Sequence, residues 1–355
     1  MSTAFNIMAA VFASNVLMGG QAVAQETVIP QPELSAELIN GAPLSAVPEI
    51  YQATPAPLQV VAELEPATGP ALSPLPKRPD PAVARLQILL DRAGTSPGVI
   101  DGFDGDNVRK AVRAFETMQG LPADGALDPD TLFRLDTSEA VIGSYTIAQD
   151  DLAGIVAPLP RDYAELAQRD SLGYERLSEK LAERFHMDEQ FLIALNPGAR
   201  FEAGETLAVA AYGPDRTGEV IYLEADKTNR QLRGYGADGS LLVAYPATIG
   251  SEDNPSPSGT HVIEAIAPEP TYTYNPAINF QQGENTQVLT LPPGPNGPVG
   301  SMWIDLSEPT YGIHGTPEPS LIDKVGSHGC IRLTNWDATE LAQMVKSGVG
   351  VAFLG

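Results

Sequence analysis

Gly326-Ser327-His328-Gly329-Cys330-Ile331-Arg332-Leu333 holds the only cysteine of a 355-residue chain, and Ile313-His314-Gly315-Thr316 lies just upstream of it. Two of the four histidines, His314 and His328, are thus gathered around one thiol. Three chemistries are open to such a group. A free cysteine is often a small buried hydrophobe. His314, His328 and Cys330, joined by Asp305 or Asp323, make a zinc set on paper, but their spacing follows no common zinc pattern. The third chemistry is nucleophilic: a nearby imidazole can hold a thiol as a thiolate–imidazolium pair. Gly329 permits a tight turn ahead of Cys330 and leaves backbone N–H groups free to face a developing oxyanion. Arg332 either grips a substrate carboxylate with its planar fork or forms an ion pair with an acid such as Asp337.

Outward from this stretch the texture is that of short strands. Glu219 to Leu223 alternates, and the runs Gln231–Gly236 and Ser240–Pro246 are joined by the hairpin signal Ala237-Asp238-Gly239. Strands with Gly and Pro turns and few helices predict a β-sandwich or barrel. One helix is expected near the end, capped by Asn335 or Asp337, with Glu340 completing a capping box and Leu341, Met344 and Val345 buried. His186 and His261 are read as structural or surface residues.

Upstream, residues 143–212 read as strand, helix, helix, strand, with a stretch from Pro158 to Gly173 inserted between the first strand and the first helix. Residues 81–137 read as three helices separated by two Asp-Gly loops. The third helix has Asp128 as N-cap and Pro129 at its first position. Neither loop carries the carboxylate that a calcium loop needs at its end, so both are turns. Residues 25–80 are rich in proline and predict an extended, disordered linker. Residues 1–24 predict an export signal, with an apolar run from Ile7 to Met18 and Ala22-Val23-Ala24 before a cut at Gln25, although Met1 to Asn6 carries no basic residue. That run is short for a membrane span, so no stable span is expected after cleavage.

The formal charge of −24 and pI near 4.4 exclude nucleic acid as a partner, because phosphate binding needs a basic face. An exported chain with one cysteine makes no internal disulfide, which leaves the thiol either to pair between molecules or to react.

Taken together, Leu291–Gly300, Trp303–Ser307, Tyr311–Thr316 and Gly326–Ala338 resemble the L,D-transpeptidase catalytic domain of the YkuD type, over residues 218–354. Residues 81–137, through the helix Val108–Phe115 and the turn Gly120–Gly125, resemble a three-helix peptidoglycan-binding domain. Residues 143–212 resemble a degenerate LysM-like α+β module. The implied fold is a mostly β sandwich catalytic domain preceded by a three-helix domain and a small α+β module. The resemblance implies that Cys330 is the nucleophile and His314 its base, with the Gly315 carbonyl orienting the imidazole. It further implies that His328 shapes the turn and that the amides of Gly329 and Cys330 are oxyanion donors. Arg332, Ser327 and Tyr311 are the expected substrate-binding residues; no metal and no cofactor are implied. The expected partners are peptidoglycan stem peptides and glycan, with an amine as acceptor, in the periplasm or cell wall. The expected reaction releases D-Ala from a stem tetrapeptide and forms a 3→3 cross-link. A hydrolase or L,D-carboxypeptidase of the same fold and a catalytically silent wall-binding protein are the alternatives. One departure stands in Ser251–Thr260, where Ser-Pro-Ser-Gly replaces the family's Thr-Pro-x-Gly turn.

Overall fold

The computed structural model describes residues 34–47, 78–251, 254–278, 280–327 and 329–355. The expected export segment 1–24, most of the proline-rich stretch and His328 lie outside these residues. Part of the stretch expected as linker is folded. Helix α1 (Ala36–Gly41) is capped by Ser35 and is followed by a 3₁₀ turn, Leu44–Ala46. Ile39, Leu44 and Val47 are buried, and Asn40 Oδ1 accepts the amides of Val141 and Ile142 at 2.8 Å each. The abundance of proline around this segment hid a short apolar face that the rest of the chain covers.

Three helices follow where the periodicity placed them. Asp80 caps α2 (Pro81–Arg92), α3 (Asp106–Gln119) stops at Gly120, and Asp128 caps α4 (Pro129–Leu135), accepting from Thr131 N at 2.8 Å. The α+β segment pairs β1 (Ile142–Thr146) antiparallel with β2 (Thr206–Ala210). Between them come α5 (Tyr163–Leu166), α6 (Leu177–Arg184) and α7 (Glu189–Leu195), the last capped by Asp188. Leu86, Ile88 and Val112 of the helical segment share one core with Leu181, Phe191 and Leu207 of the α+β segment. The two segments are therefore one packed body, because each buries its apolar face on the other.

The remaining strands are β3 (Tyr222–Asp226), β4 (Gln231–Tyr235), β5 (Leu241–Pro246), β6 (Thr248–Ile249), β7 (Gly259–Pro268), β8 (Tyr272–Tyr274), β9 (Leu289–Leu291), β10 (Met302–Leu306), β11 (Gly312–His314), β12 (Ile331–Arg332) and β13 (Gly350–Leu354). Nine of them join in the order β5-β4-β3-β13-β7-β10-β11-β12-β6, and β8 with β9 forms a separate hairpin. Strand β7 belongs to both halves: Val262 pairs with Gly350 of β13, and Ile266 with Ile304 of β10. Leu223 and Val243 from one half and Ile304, Ile313 and Ile331 from the other enter one core with Leu341 and Met344 of helix α8 (Asn335–Met344). Two sheet halves closed on one core make the expected sandwich.

Two details differ from expectation. The N-cap of α8 is Thr334, whose hydroxyl accepts from Asp337 N at 3.1 Å, which releases the Asn335 side chain for another use. Edge strand β5 is covered by the helical segment: Ala244 N donates to Gly94 O and Ser96 N to Ala244 O, both at 2.9 Å, and Ala114 packs on Leu241 and Ala244. Covering an edge in this way removes an aggregation-prone row of free amides.

Candidate active site

Parallel strands β11 and β12 set Ile313 opposite Ile331 and His314 opposite Arg332. Both isoleucines are fully buried in the sandwich core. Because side chains alternate along a strand, His314 and Arg332 share the other face, and Cys330, two residues before Arg332, joins them. All three line one cleft of about 470 Å³ together with Tyr311, Trp303 and Glu318.

His314 is 4% exposed, and its Nδ1 lies 2.6 Å from the Gly315 carbonyl oxygen. A carbonyl only accepts, so Nδ1 carries the proton and Nε2 keeps a free lone pair. The Trp303 ring stacks on the imidazole at 5.6 Å and 21°. Burial, reinforced by the charge of Arg332, pushes His314 down to about 3, against the opposing pull of the Gly315 hydrogen bond. Burial likewise pushes the Cys330 thiol up, opposed by the Gly312 amide and by Arg332. Burial thus favours the uncharged form of each group taken singly.

The nucleophile turn is braced from two sides. Gly329 sits at φ +105°, and a Cβ there would lie 2.5 Å from Tyr311 Cε1, so glycine is required both by conformation and by contact. Its carbonyl accepts from the buried Ser256 hydroxyl at 2.6 Å. Ser327 is 3% exposed; its hydroxyl accepts from Gly250 N at 2.8 Å and donates to Cys330 O at 2.7 Å. Ser327, expected to bind substrate, lines the same cleft, and through these two bonds its hydroxyl also fixes the turn. The Cys330 thiol is half-buried and 3.7 Å from Thr310 O.

Arg332 does not form the ion pair with Asp337 that its sequence allowed. No hydrogen bond or ion pair holds its guanidinium among the described residues, and its buried Nε has no partner. Asp337 instead accepts from Ser96 Oγ at 3.1 Å. The acids considered as zinc ligands are engaged elsewhere: Asp305 accepts from Trp303 Nε1 at 3.1 Å, and Asp323 pairs with Lys110 and Arg230.

Behind His314 lies a polar anchor that sequence reasoning missed. Asn335 is buried against Gly315, where a Cβ would stand 2.1 Å from Asn335 Oδ1. Asn335 Nδ2 donates to both Glu183 carboxylate oxygens, at 3.1 and 3.0 Å, and to Pro295 O at 3.2 Å. Glu183 comes from α6 in the α+β segment and also accepts from the Tyr174 hydroxyl at 3.1 Å. Burial raises Glu183 to about 7, opposed by the Asn335 and Tyr174 hydrogen bonds and assisted by Glu179. Ser256 and Asn335 each carried a local signal, as turn and as helix cap, that pointed to a different use.

Residues 221–352 match the family model described as the L,D-transpeptidase catalytic domain, and residues 79–135 that described as "Putative peptidoglycan binding domain". The "Putative L,D-transpeptidase YkuD" of Bacillus licheniformis is 34% identical over 179 residues, covering 49% of this chain and 91% of its own. The "Probable L,D-transpeptidase YbiS" of Escherichia coli K12 is 25% identical over 228 residues, covering 61% of this chain and 72% of its own. The solved structure of an L,D-transpeptidase from Mycobacterium smegmatis aligns with 43% of this chain and 75% of its own, at 19% identity and a TM-score of 0.33.

Proposed function

This chain belongs to the L,D-transpeptidase family, and we propose that it transfers acyl groups of peptidoglycan stem peptides through a thioester on Cys330. His314 Nε2 takes the thiol proton as sulfur attacks the carbonyl of the third residue of a stem tetrapeptide. The amides of Gly329 and Cys330 receive the oxyanion. Collapse breaks the amide bond, His314 returns the proton to the leaving amine, and D-Ala departs. An amine, deprotonated by the same imidazole, then attacks the thioester, forms the new amide and frees the thiol. Gly315 holds the imidazole tautomer, Arg332 pairs with a donor carboxylate, and Tyr311 packs against the nucleophile turn. His328, outside the described residues, is proposed to shape that turn. The reaction is placed outside the cytoplasm, at the wall, with the 79–135 segment touching glycan.

The observation that carries this reading is a neutral imidazole whose Nδ1 is tied to Gly315 and whose ring lines the same cleft as the only thiol. The test is product analysis by mass spectrometry with purified tetrapeptide muropeptides. Wild type forms cross-linked dimers and Cys330→Ala forms none. Trimmed tripeptides without dimers would assign the chain to hydrolysis, and dimers from Cys330→Ala would overturn the nucleophile.

A further inference from the structure

Residues 158–173, the insertion that breaks the α+β segment, belong to neither family match. In the fold they lie on the catalytic sandwich. Leu166 and Leu172 share a small core with Tyr274 and Leu291 of the β8–β9 hairpin. Leu172 N donates to Pro293 O at 2.9 Å, and Asn296 N returns to Leu172 O at 3.0 Å. A second set of bonds holds the loop after β8. Tyr163 N donates to Gln282 Oε1 at 3.1 Å, Gln282 Nε2 to Arg161 O at 2.9 Å, and Asn285 Nδ2 to Asp162 Oδ2 at 3.0 Å. Asp162 also caps α5, so the carboxylate that starts the helix also binds the loop.

This clamp delivers one side chain to the cleft. The Tyr163 ring meets Tyr272, Tyr274 and Phe280 edge-on, with centroids 6.2, 5.3 and 6.0 Å away. Tyr163, Tyr272 and Phe280 line the same cavity as Cys330 and Arg332. Such edge-to-face clusters are rigid apolar walls, and each ring supports its neighbours. Burial raises the Tyr163 phenol and the charge of Arg332 opposes that rise, which sets the ring within the field of that guanidinium.

We propose that Tyr163 is a specificity-determining residue for the acyl donor. With Tyr272 and Phe280 it forms the apolar side of the cleft, against which the aliphatic part of a peptide donor lies while its carboxylate meets Arg332. The catalytic cleft is thus completed by a segment that the α+β module supplies. The proposal rests on the acyl-transfer reading, and its test separates the two.

The full chain is compared with Tyr163→Leu, which keeps the site filled and apolar, and Tyr163→Phe, which keeps the ring. The first readout needs no turnover: the rate at which Cys330 reacts with iodoacetamide and with a bulky N-substituted maleimide. Tyr163→Leu is expected to speed the maleimide several-fold and to leave iodoacetamide unchanged. The second readout is the KM for a stem tetrapeptide, expected to rise about tenfold in Tyr163→Leu with kcat nearly constant and to return in Tyr163→Phe. Unchanged reagent selectivity together with an unchanged KM in folded Tyr163→Leu overturns the proposal. A fall in kcat with KM unchanged also overturns it, since that marks a structural role. If wild type turns over no tetrapeptide, the acyl-transfer reading fails and the reagent pair alone decides whether Tyr163 bounds the cleft.

Discussion

Replacing Glu183 by glutamine tests the anchor behind His314. The carboxyl is buried, and burial raises it from 4.5 to about 7. The folded protein thus holds this proton more tightly than the unfolded chain does. The stability it contributes is whole below pH about 4.5 and is lost as pH rises through about 7. Ionising the group inside the fold costs ~3 kcal/mol relative to ionising it in the unfolded chain. Glu183→Gln keeps an acceptor for Asn335 and Tyr174 and removes the ionisation. At about pH 5 the variant should match wild type, and at about pH 8.5 it should be more stable by up to ~3 kcal/mol. Urea denaturation of the full chain at the two pH values measures this, as the difference in midpoint between variant and wild type. The comparison isolates Glu183 from other carboxyls that burial raises in the same direction, such as Glu116 and Asp101. Equal stability of the two proteins at the higher pH, or a variant less stable there, would refute the reasoning.

Three further outcomes are expected. Because Cys330 lies above its ordinary 9.0 and His314 stays neutral above about 3, alkylation of the thiol by iodoacetamide should climb steadily from neutral pH into the alkaline range; a plateau by pH about 8 would mean a standing ion pair. Ser327→Ala leaves the Gly250 amide and the Cys330 carbonyl without their buried partner, so thermal denaturation should show a loss of ~1–3 kcal/mol and Cys330 acylation should slow. Arg332→Gln breaks no ion pair among the described residues, so its denaturation midpoint should hold or rise while KM for a carboxylate-bearing donor increases; a marked loss of stability would show that the guanidinium is structural.

Much of the site was legible because its signals are local. The glycine at 329 is demanded by a left-handed turn inside the short motif that holds the thiol, whereas its close contact with Tyr311 comes from a stretch 18 residues upstream. The helix cap at Asp128 was readable for the same reason, since a cap bonds within its own first turn. Ser256, Asn335, Glu183 and Tyr163 were not legible, because each acts on a partner far away in the chain. Asn335 and Glu183 are 152 residues apart, and no local pattern marks such a pair.

By itself, then, the chain's sequence determined the strand-rich sandwich, the helical segment before it and the two motifs whose histidine and thiol line one cleft. Alternation, capping and a contiguous motif act over a few residues and survive without knowledge of the fold. Only the tertiary structure decided that burial favours the uncharged forms of His314 and Cys330, that Arg332 has no ion-pair partner among the described residues, and that the upstream segments share a core and reach the cleft. Those outcomes depend on desolvation and on hydrogen-bond partners, and both are set by what the folded chain brings together across the sequence.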